Sequence, residues 1–488
     1  MKYNEKKIFK GTVYIAISTV FNIFIKILTL VLLSRMLTPT EFGIVAAVQI
    51  IVNFSEIFWM MGVGPAIVQK RIIKEVDITT GFYINLIFGC VISLLIFLLN
   101  SQITMILNIN DNKILYLVPI IFIIKSLSSV SESMLQREMF FGKISIANMV
   151  STGLYFIVSL YLAHIDYAAY SLIIAIIIQA IINSLIMMYL YPISLHQKPS
   201  ISSGIELLKY GVTFTISRIF NTAANDGDNF VIGKFLGSYH LGNYNRAYQL
   251  LMVPTLIIGT LIEKILFPLL SKNQDDYKKV GIIYTNVTNL VIIITFPVMF
   301  FIIPSSEKII HIILGNQWGT IIIAFQILFT TLFFRVGYKI CDTITYSLGK
   351  VKNRVYTQVF YATSVIIGAI FGSKYGINGV AISTSISIFL NYCIMNILVL
   401  NILKLKFNYF SKNIGLNILF NFTLCILLSF VISIINLSND YFDLLIKVSV
   451  FITVYFIANY YFINKYFDTN FKIFIYSIFG NFNLLNKR

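Results

Sequence analysis

Ten ionisable side chains stand inside stretches that otherwise read as membrane-length apolar helix. The cations are Lys26, Lys125, Arg218, Arg335 and Lys339; the acids are Glu56, Glu132, Asp226, Asp228 and Asp342. A charge in hydrocarbon is expensive to hold, so by default such residues face a protein interior or a water-filled path and mark function. Lysine and arginine supply donors and no acceptors, which suits a group of desolvated cations to an anionic ligand such as a pyrophosphate. The acids have two available roles: holding the cations when the site is empty, or carrying a coupling proton or sodium ion.

Their spacing assigns them to helix faces. Gln49, Asn53 and Glu56 fall at i, i+4 and i+7 and form one polar stripe on an apolar helix. Lys125, Ser128, Ser129, Glu132 and Gln136 share a face of another, as do Arg335, Lys339, Asp342 and Tyr346. Two readings stay open for Lys125 with Glu132 and for Arg335 with Asp342: ion pairs that fix packing, or groups lining a substrate path. Lys26 and Asp226 fall at nearly equivalent depths in the two copies described below, which allows a pair between them. Arg218 lies closer to a span end, where reaching lipid phosphate is the bland alternative.

The elements that must carry these residues follow from composition. The chain has 488 residues, is 58% hydrophobic and 12% charged, and has a mean hydropathy of +0.83. Apolar runs of about 20 residues recur roughly fourteen times, which predicts an all-α polytopic membrane protein with little chain left for soluble domains. The N-terminus leads into a full-length span, so no cleavable signal peptide is expected. The formal charge of +17 is distributed as topology. Basic residues cluster at Lys2, Lys6, Lys7 and Lys10, at Lys70, Arg71 and Lys74, at Lys350, Lys352 and Arg354, and at Lys465, Lys472, Lys487 and Arg488, whereas the opposite loops hold Arg35, Lys113, Lys308 and Lys374. The bias predicts both termini in the cytoplasm and anionic headgroups, not nucleic acid, as the surface partner.

The chain also repeats itself. Ile216-Ser217-Arg218-Ile219-Phe220-Asn221 matches Ile17-Ser18-Thr19-Val20-Phe21-Asn22 at an offset of 199, and Gly242 falls on Gly43. At an offset of 210, Lys125 falls on Arg335 and Glu132 on Asp342. This predicts two parallel six-helix lobes with a central cavity between them, followed by two further helices. The expected boundaries are residues 1–190 for the first lobe, 191–209 for a cytoplasmic linker, 210–400 for the second lobe and 401–488 for two extra helices and a cytoplasmic tail. The extra spans, near Asn413 to Ile435 and Tyr441 to Ile463, have few polar residues and read as an appendage. Thr38-Pro39-Thr40-Glu41 predicts a helix start with a capping box and proline at the first position.

Other chemistry is not supported. Cys90, Cys341, Cys393 and Cys425 lie inside predicted spans without metal-ligand spacing, and no nucleophile elbow, HExxH or P-loop occurs, so an enzyme is not expected and no cofactor is implied beyond coupling by H+ or Na+. Trp59 and Trp318 fit an interfacial belt, and Arg246 and Glu263-Lys264 read as interfacial anchors.

Several segments resemble one transporter family. Leu33-Ser34-Arg35-Met36-Leu37-Thr38-Pro39-Thr40-Glu41-Phe42-Gly43, Leu135-Gln136-Arg137, the run Asp228 to Gly237, Leu241 to Tyr248 and Tyr375-Gly376-Ile377-Asn378-Gly379 are similar to bacterial polysaccharide transporters, specifically the Wzx-like oligosaccharide-lipid flippases of the multidrug/oligosaccharidyl-lipid/polysaccharide exporter superfamily. The resemblance implies movement of undecaprenyl-pyrophosphate-linked oligosaccharide repeat units across the bacterial cytoplasmic membrane by alternating access, with polysaccharide polymerase and chain-length machinery as partners. The competing readings are an ion-coupled multidrug exporter of the same superfamily, whose cavity should be acidic or aromatic, and a membrane-embedded polymerase or ligase, which should carry a sizeable outer loop. An organising role in a glycan-assembly complex is a third.

Overall fold

The computed structural model describes residues 5–109, 111–434, 440–467 and 471–472. Lys2, Ile435, Lys487 and Arg488 lie outside the described residues, as do the side chains of Lys6, Lys7, Lys10, Lys264, Lys272 and Lys352. The elements in chain order are α1 (Glu5–Met36), α2 (Pro39–Met60), α3 (Val63–Gln69), α4 (Glu75–Leu98), α5 (Asn100–Ile106), a 3₁₀ turn (Asn112–Tyr116), α6 (Val118–Arg137), α7 (Phe141–His164), α8 (Ala168–Leu190), α9 (Ile201–Leu236) and α10 (Ser238–Lys272). They continue with α11 (Tyr277–Ile302), α12 (Ser306–Ile313), a second 3₁₀ turn (Asn316–Ile321), α13 (Ile322–Phe329), α14 (Leu332–Ser347), α15 (Val351–Ser373), α16 (Gly376–Leu403), α17 (Phe407–Ile434) and α18 (Asp440–Tyr466). No strand occurs among the described residues.

Local chemistry sets the helix starts. At α2 the Thr38 backbone N–H donates to Glu41 Oε2 at 2.6 Å, the Glu41 N–H donates to Thr38 Oγ1 at 3.4 Å, and Pro39 occupies the first turn, as the sequence predicts. Asp276 caps α11 by accepting from the Lys279 N–H at 3.0 Å.

Eleven described helices are long and apolar enough to cross a membrane, and twelve when α13 and α14 are taken as one span bent by 45°. The chain is therefore a multi-pass membrane protein. The remaining two of the fourteen expected spans are α9 and α10, with 36 and 35 residues. Of the two, α9 is the charged one, carrying Glu206, Lys209, Arg218, Asp226, Asp228 and Lys234. The repeat is visible in the element order: a long helix, a short helix, a 3₁₀ turn and a further span occur as α4 to α6 and again as α11 to α14, where the last span is the bent pair α13 and α14.

The described chain divides into two compact units, residues 1–246 with 369–380 and residues 247–368 with 381–488. Within the first, α9 packs on α2, α3 and α4, α6 packs on α4 and α8, and α1 and α8 pack on α7. Gly43 and Gly242 let backbones meet here, because a Cβ on Gly43 would collide with the Ser238 carbonyl and one on Gly242 with that of Pro39. Within the second, α11 packs on α14, α17 and α18.

The last two helices are more than an apolar appendage. Asn417 on α17 donates to Asn289 O and Oδ1 of α11 at 3.1 and 3.0 Å, Asn421 donates to Asn417 Oδ1 at 2.7 Å, and the Tyr455 hydroxyl of α18 contacts Asn421 Oδ1 and Ile293 O. All four of these side chains are buried. In hydrocarbon each such bond contributes about 0.6–2 kcal/mol and fixes register, which bulk apolar contact does not. Lys308 on α12 adds a contact with Asp443 of α18 at 2.8 Å, and Asp443 also accepts from Lys447. Apolar counting overlooks this chain because Asn417, Asn421 and Tyr455 barely change the hydropathy of two long helices.

Candidate functional site

In the first unit the polar stripe of α2 faces the charged face of α9. Glu56 is the hub: Oε1 accepts from Arg218 Nη2 at 2.8 Å and Oε2 from Lys125 Nζ of α6 at 3.1 Å. Arg218 Nη1 also approaches Met60 Sδ at 3.5 Å. The three side chains are 23%, 35% and 38% exposed for Glu56, Arg218 and Lys125, so the cluster is reachable. One turn away along α2, Gln49 donates to Asn53 Oδ1 at 2.7 Å and Asn53 donates to Asp226 Oδ2 at 3.0 Å. Glu132 lies two turns from Lys125 on α6, half-buried, and accepts from Gln136 Nε2 at 3.2 Å.

Lys125 contacts Glu56 on another helix and not Glu132, and Asp226 takes an amide donor and not Lys26. Lys26 is exposed on α1 and forms no ion pair among the described residues. Asp228 is separate from this cluster: it is buried at the α9–α10 corner, where it accepts from the Tyr244 hydroxyl at 2.7 Å and from the Asn229 N–H at 2.8 Å. Those bonds fix the corner.

The second unit places Arg335 differently. It is 4% exposed, its Nε donates to Thr331 Oγ1 at 3.1 Å, and its Nη1 donates to the Tyr248 hydroxyl of α10 at 3.1 Å. The guanidinium carbon lies 4.8 Å from the Tyr248 ring centroid, and Nη2 has no hydrogen-bond partner among the described residues. Among the described residues no carboxylate forms an ion pair with it, although burying a charge costs several kcal/mol. Asp342 instead forms a two-point pair with Arg354 of α15 at 2.7 and 2.9 Å. Lys339 is half-buried and lies along Gly259 of α10.

Tyr248, Thr331 and Arg354 are the partners that reasoning on charge alone misses. The repeat held the signal for Tyr248, since the 199 offset places it on Gln49 of the α2 stripe. Two interfacial readings are corrected. Trp59 and Trp318 are 3% and 0% exposed and sit in the protein interior, and Arg246 is buried with its guanidinium 3.4 Å from the centroid of Phe42. Position near a span end suggests lipid contact, but ring size and cation–π attraction suit tight helix packing equally well.

The family model described as polysaccharide biosynthesis protein matches residues 32–323, more than half of the chain. The chain belongs to this polysaccharide biosynthesis family. Its matched region contains Glu56, Lys125, Arg218 and Asp226 and ends before α14. The chain is similar to the lipopolysaccharide biosynthesis protein WzxC of Escherichia coli K12, 24% identical over 405 residues that cover 81% of this chain and 82% of the relative. The fold is that of the lipid II flippase MurJ in an inward closed conformation, with a TM-score of 0.77, 16% identity and coverage of 92% and 98%. An inward-facing multidrug resistance transporter of the MATE family, within the MOP superfamily, matches with a TM-score of 0.60, 13% identity and coverage of 81% and 99%. This polysaccharide biosynthesis family member thus shares the fold of these two transporters.

Proposed function

We propose that this chain moves undecaprenyl-pyrophosphate-linked oligosaccharide repeat units from the cytoplasmic to the outer face of the cytoplasmic membrane by alternating access, for surface polysaccharide assembly. It works as a transporter and not as an enzyme, and both termini are cytoplasmic. The observation that carries the reading is the Glu56 cluster, in which one carboxylate holds two cations from two other helices. Attraction between unit charges at 4 Å is on the order of 4 kcal/mol at an intermediate dielectric, but part-exposed pairs return only about 0–1 kcal/mol net. A pyrophosphate offers more anionic oxygens than a carboxylate, so it exchanges with Glu56 at little cost and gains charge-assisted bonds from Lys125 and Arg218. In the second unit, Arg335, unpaired with any carboxylate among the described residues, and Lys339 are candidate donors to phosphate or glycan.

Support comes from family membership, from the name of the WzxC relative and from the fold shared with a lipid II flippase. A drug-cation exporter fits less well, because Glu56 and Asp342 are already neutralised by cations of the chain itself. Asp226, held by a neutral amide, is the acid best placed to carry a coupling H+ or Na+. Polymerase and chain-length machinery are the expected consumers of the product.

The test is the location of lipid-linked oligosaccharide in spheroplasts lacking the protein, probed with a membrane-impermeant glycan-modifying enzyme. Accumulation protected from that enzyme, relieved by the intact chain, is the expected result. Single repeat units already exposed outside would move the function to polymerisation or ligation.

A further inference from the structure

The repeat aligns α2 and α3 together with α10, yet only the first copy is broken. α10 runs without interruption from Ser238 to Lys272, and the positions 199 residues after Met61 and Gly62, Thr260 and Leu261, are helical. In the first copy Met61 (φ 44) and Gly62 (φ 65) are both left-handed and separate α2 from the seven-residue α3. Gly62 is required twice over: its φ favours glycine, and a Cβ there would collide with the backbone of Gly211 on α9.

The far end of α3 is held by one side chain. Arg137, the last residue of α6, donates through Nη1 to the carbonyls of Ile67, Val68 and Lys70 at 2.7, 3.1 and 2.5 Å, and through Nη2 to that of Arg71 at 3.2 Å. Ile67 and Val68 lie in the last turn of α3 and Lys70 and Arg71 just beyond it, where helix carbonyls run out of intrahelical donors, so a single cation caps this end and complements the helix dipole. The neighbouring Lys70 bridges Asp77 of α4 and Glu206 of α9 at 3.0 and 2.7 Å. Although burial alone would lower it, these two carboxylates hold its ammonium above its ordinary range. The α3 side chains Val63, Ala66 and Ile67 are buried against Phe82, Val130, Met134 and Leu207.

We propose that α3 is a gate segment, hinged at Met61–Gly62 and latched by Arg137 and Lys70, that opens the path to the Glu56 cluster from the end which the basic-residue bias assigns to the cytoplasm; this rests on the transport reading above. Two consecutive left-handed residues confine the rotation to one point, as hinges do. Seven helical residues span about 10 Å, roughly a third of the hydrocarbon core. Glu56 lies on the α2 side of the hinge, so α3 swings without dismantling its contact to Arg218.

The experiment locks α3 to α6. A Cβ on Gly64 would lie 3.9 Å from Ser133 Cβ, within the range for a disulfide. In the full chain with Cys90, Cys341, Cys393 and Cys425 replaced by serine, Gly64→Cys with Ser133→Cys should lose at least tenfold in transport on oxidation and recover with dithiothreitol, while each single cysteine variant is unaffected by oxidation. A fully cross-linked protein that transports at its reduced rate overturns the gate. Independently of transport, Arg137→Gln should speed amide hydrogen exchange across residues 63–69 at least tenfold, and unchanged exchange there overturns the latch. If exchange responds but the reduced parent moves no lipid-linked oligosaccharide, the hinge stands and the transport reading fails.

Discussion

Lys125 and Arg335 occupy equivalent places in the two copies, each reaching from the fourth helix of its repeat toward the second, yet they meet opposite chemistry. Lys125 ends on the carboxylate of Glu56, which also holds Arg218, whereas Arg335 ends on the hydroxyls of Thr331 and Tyr248 and keeps one nitrogen without a partner among the described residues. Duplication has preserved where a cation is placed and changed what neutralises it. The first unit therefore holds its cations against an internal anion, whereas in the second no carboxylate pairs with Arg335 among the described residues.

The comparison is sharpened most by removing one partner at a time. Arg218→Ala should reduce transport by about 10- to 100-fold, the equivalent of charge-assisted hydrogen bonds worth ~1.5–3 kcal/mol, with the protein still folded in the membrane. Flipping rates in vesicles check this, and an unchanged rate would remove Arg218 from the substrate path. Stability should separate the two units. Glu56→Ala leaves Lys125 and Arg218 facing each other and should destabilise by about 1–3 kcal/mol, whereas Arg335→Met orphans no acid and should be within ~1 kcal/mol of wild type or more stable, while still impairing transport. Thermal unfolding of the two variants in detergent, ranked the other way, would break the comparison.

Asp342→Asn removes one side of the two-point pair with Arg354 and should lower stability by about 1–2 kcal/mol, read from the same melts. The smallest effect is expected at Lys308, whose ammonium Asp443 and Asp440 hold above its ordinary value of 10.5. A raised pKa in the folded state means that the stabilisation is complete below pH 10.5 and is lost as pH rises through the folded value. Melting temperature measured from pH 9 upward should therefore fall less steeply in Lys308→Met than in wild type.

The fold was legible because its signals are long and redundant: apolar runs, the capping box at Thr38 and the internal offsets each specify helices without reference to partners. The residue types of the site were legible for a related reason, since an ion in an apolar run stands out. Pairing was not, because helical spacing offers Lys125 an acid at i+7 on its own helix, whereas the carboxylate it meets comes from 69 residues away. The bend between α13 and α14 was also hidden, since neither Gly nor Pro marks a break at Thr330 and Thr331. Burial of Trp59, Trp318 and Arg246 depends on which helix covers them, and sequence position does not encode that.

The most direct measurement is reconstitution of the purified full chain into vesicles carrying an undecaprenyl-pyrophosphate-linked oligosaccharide in both leaflets, followed by an impermeant glycan-modifying enzyme added outside. The account predicts that the wild-type protein renders the inner-leaflet pool accessible, while the Arg218→Ala variant slows this by at least tenfold. An inner pool that stays protected with well-folded wild-type protein, under an imposed proton or sodium gradient of either polarity, would contradict it.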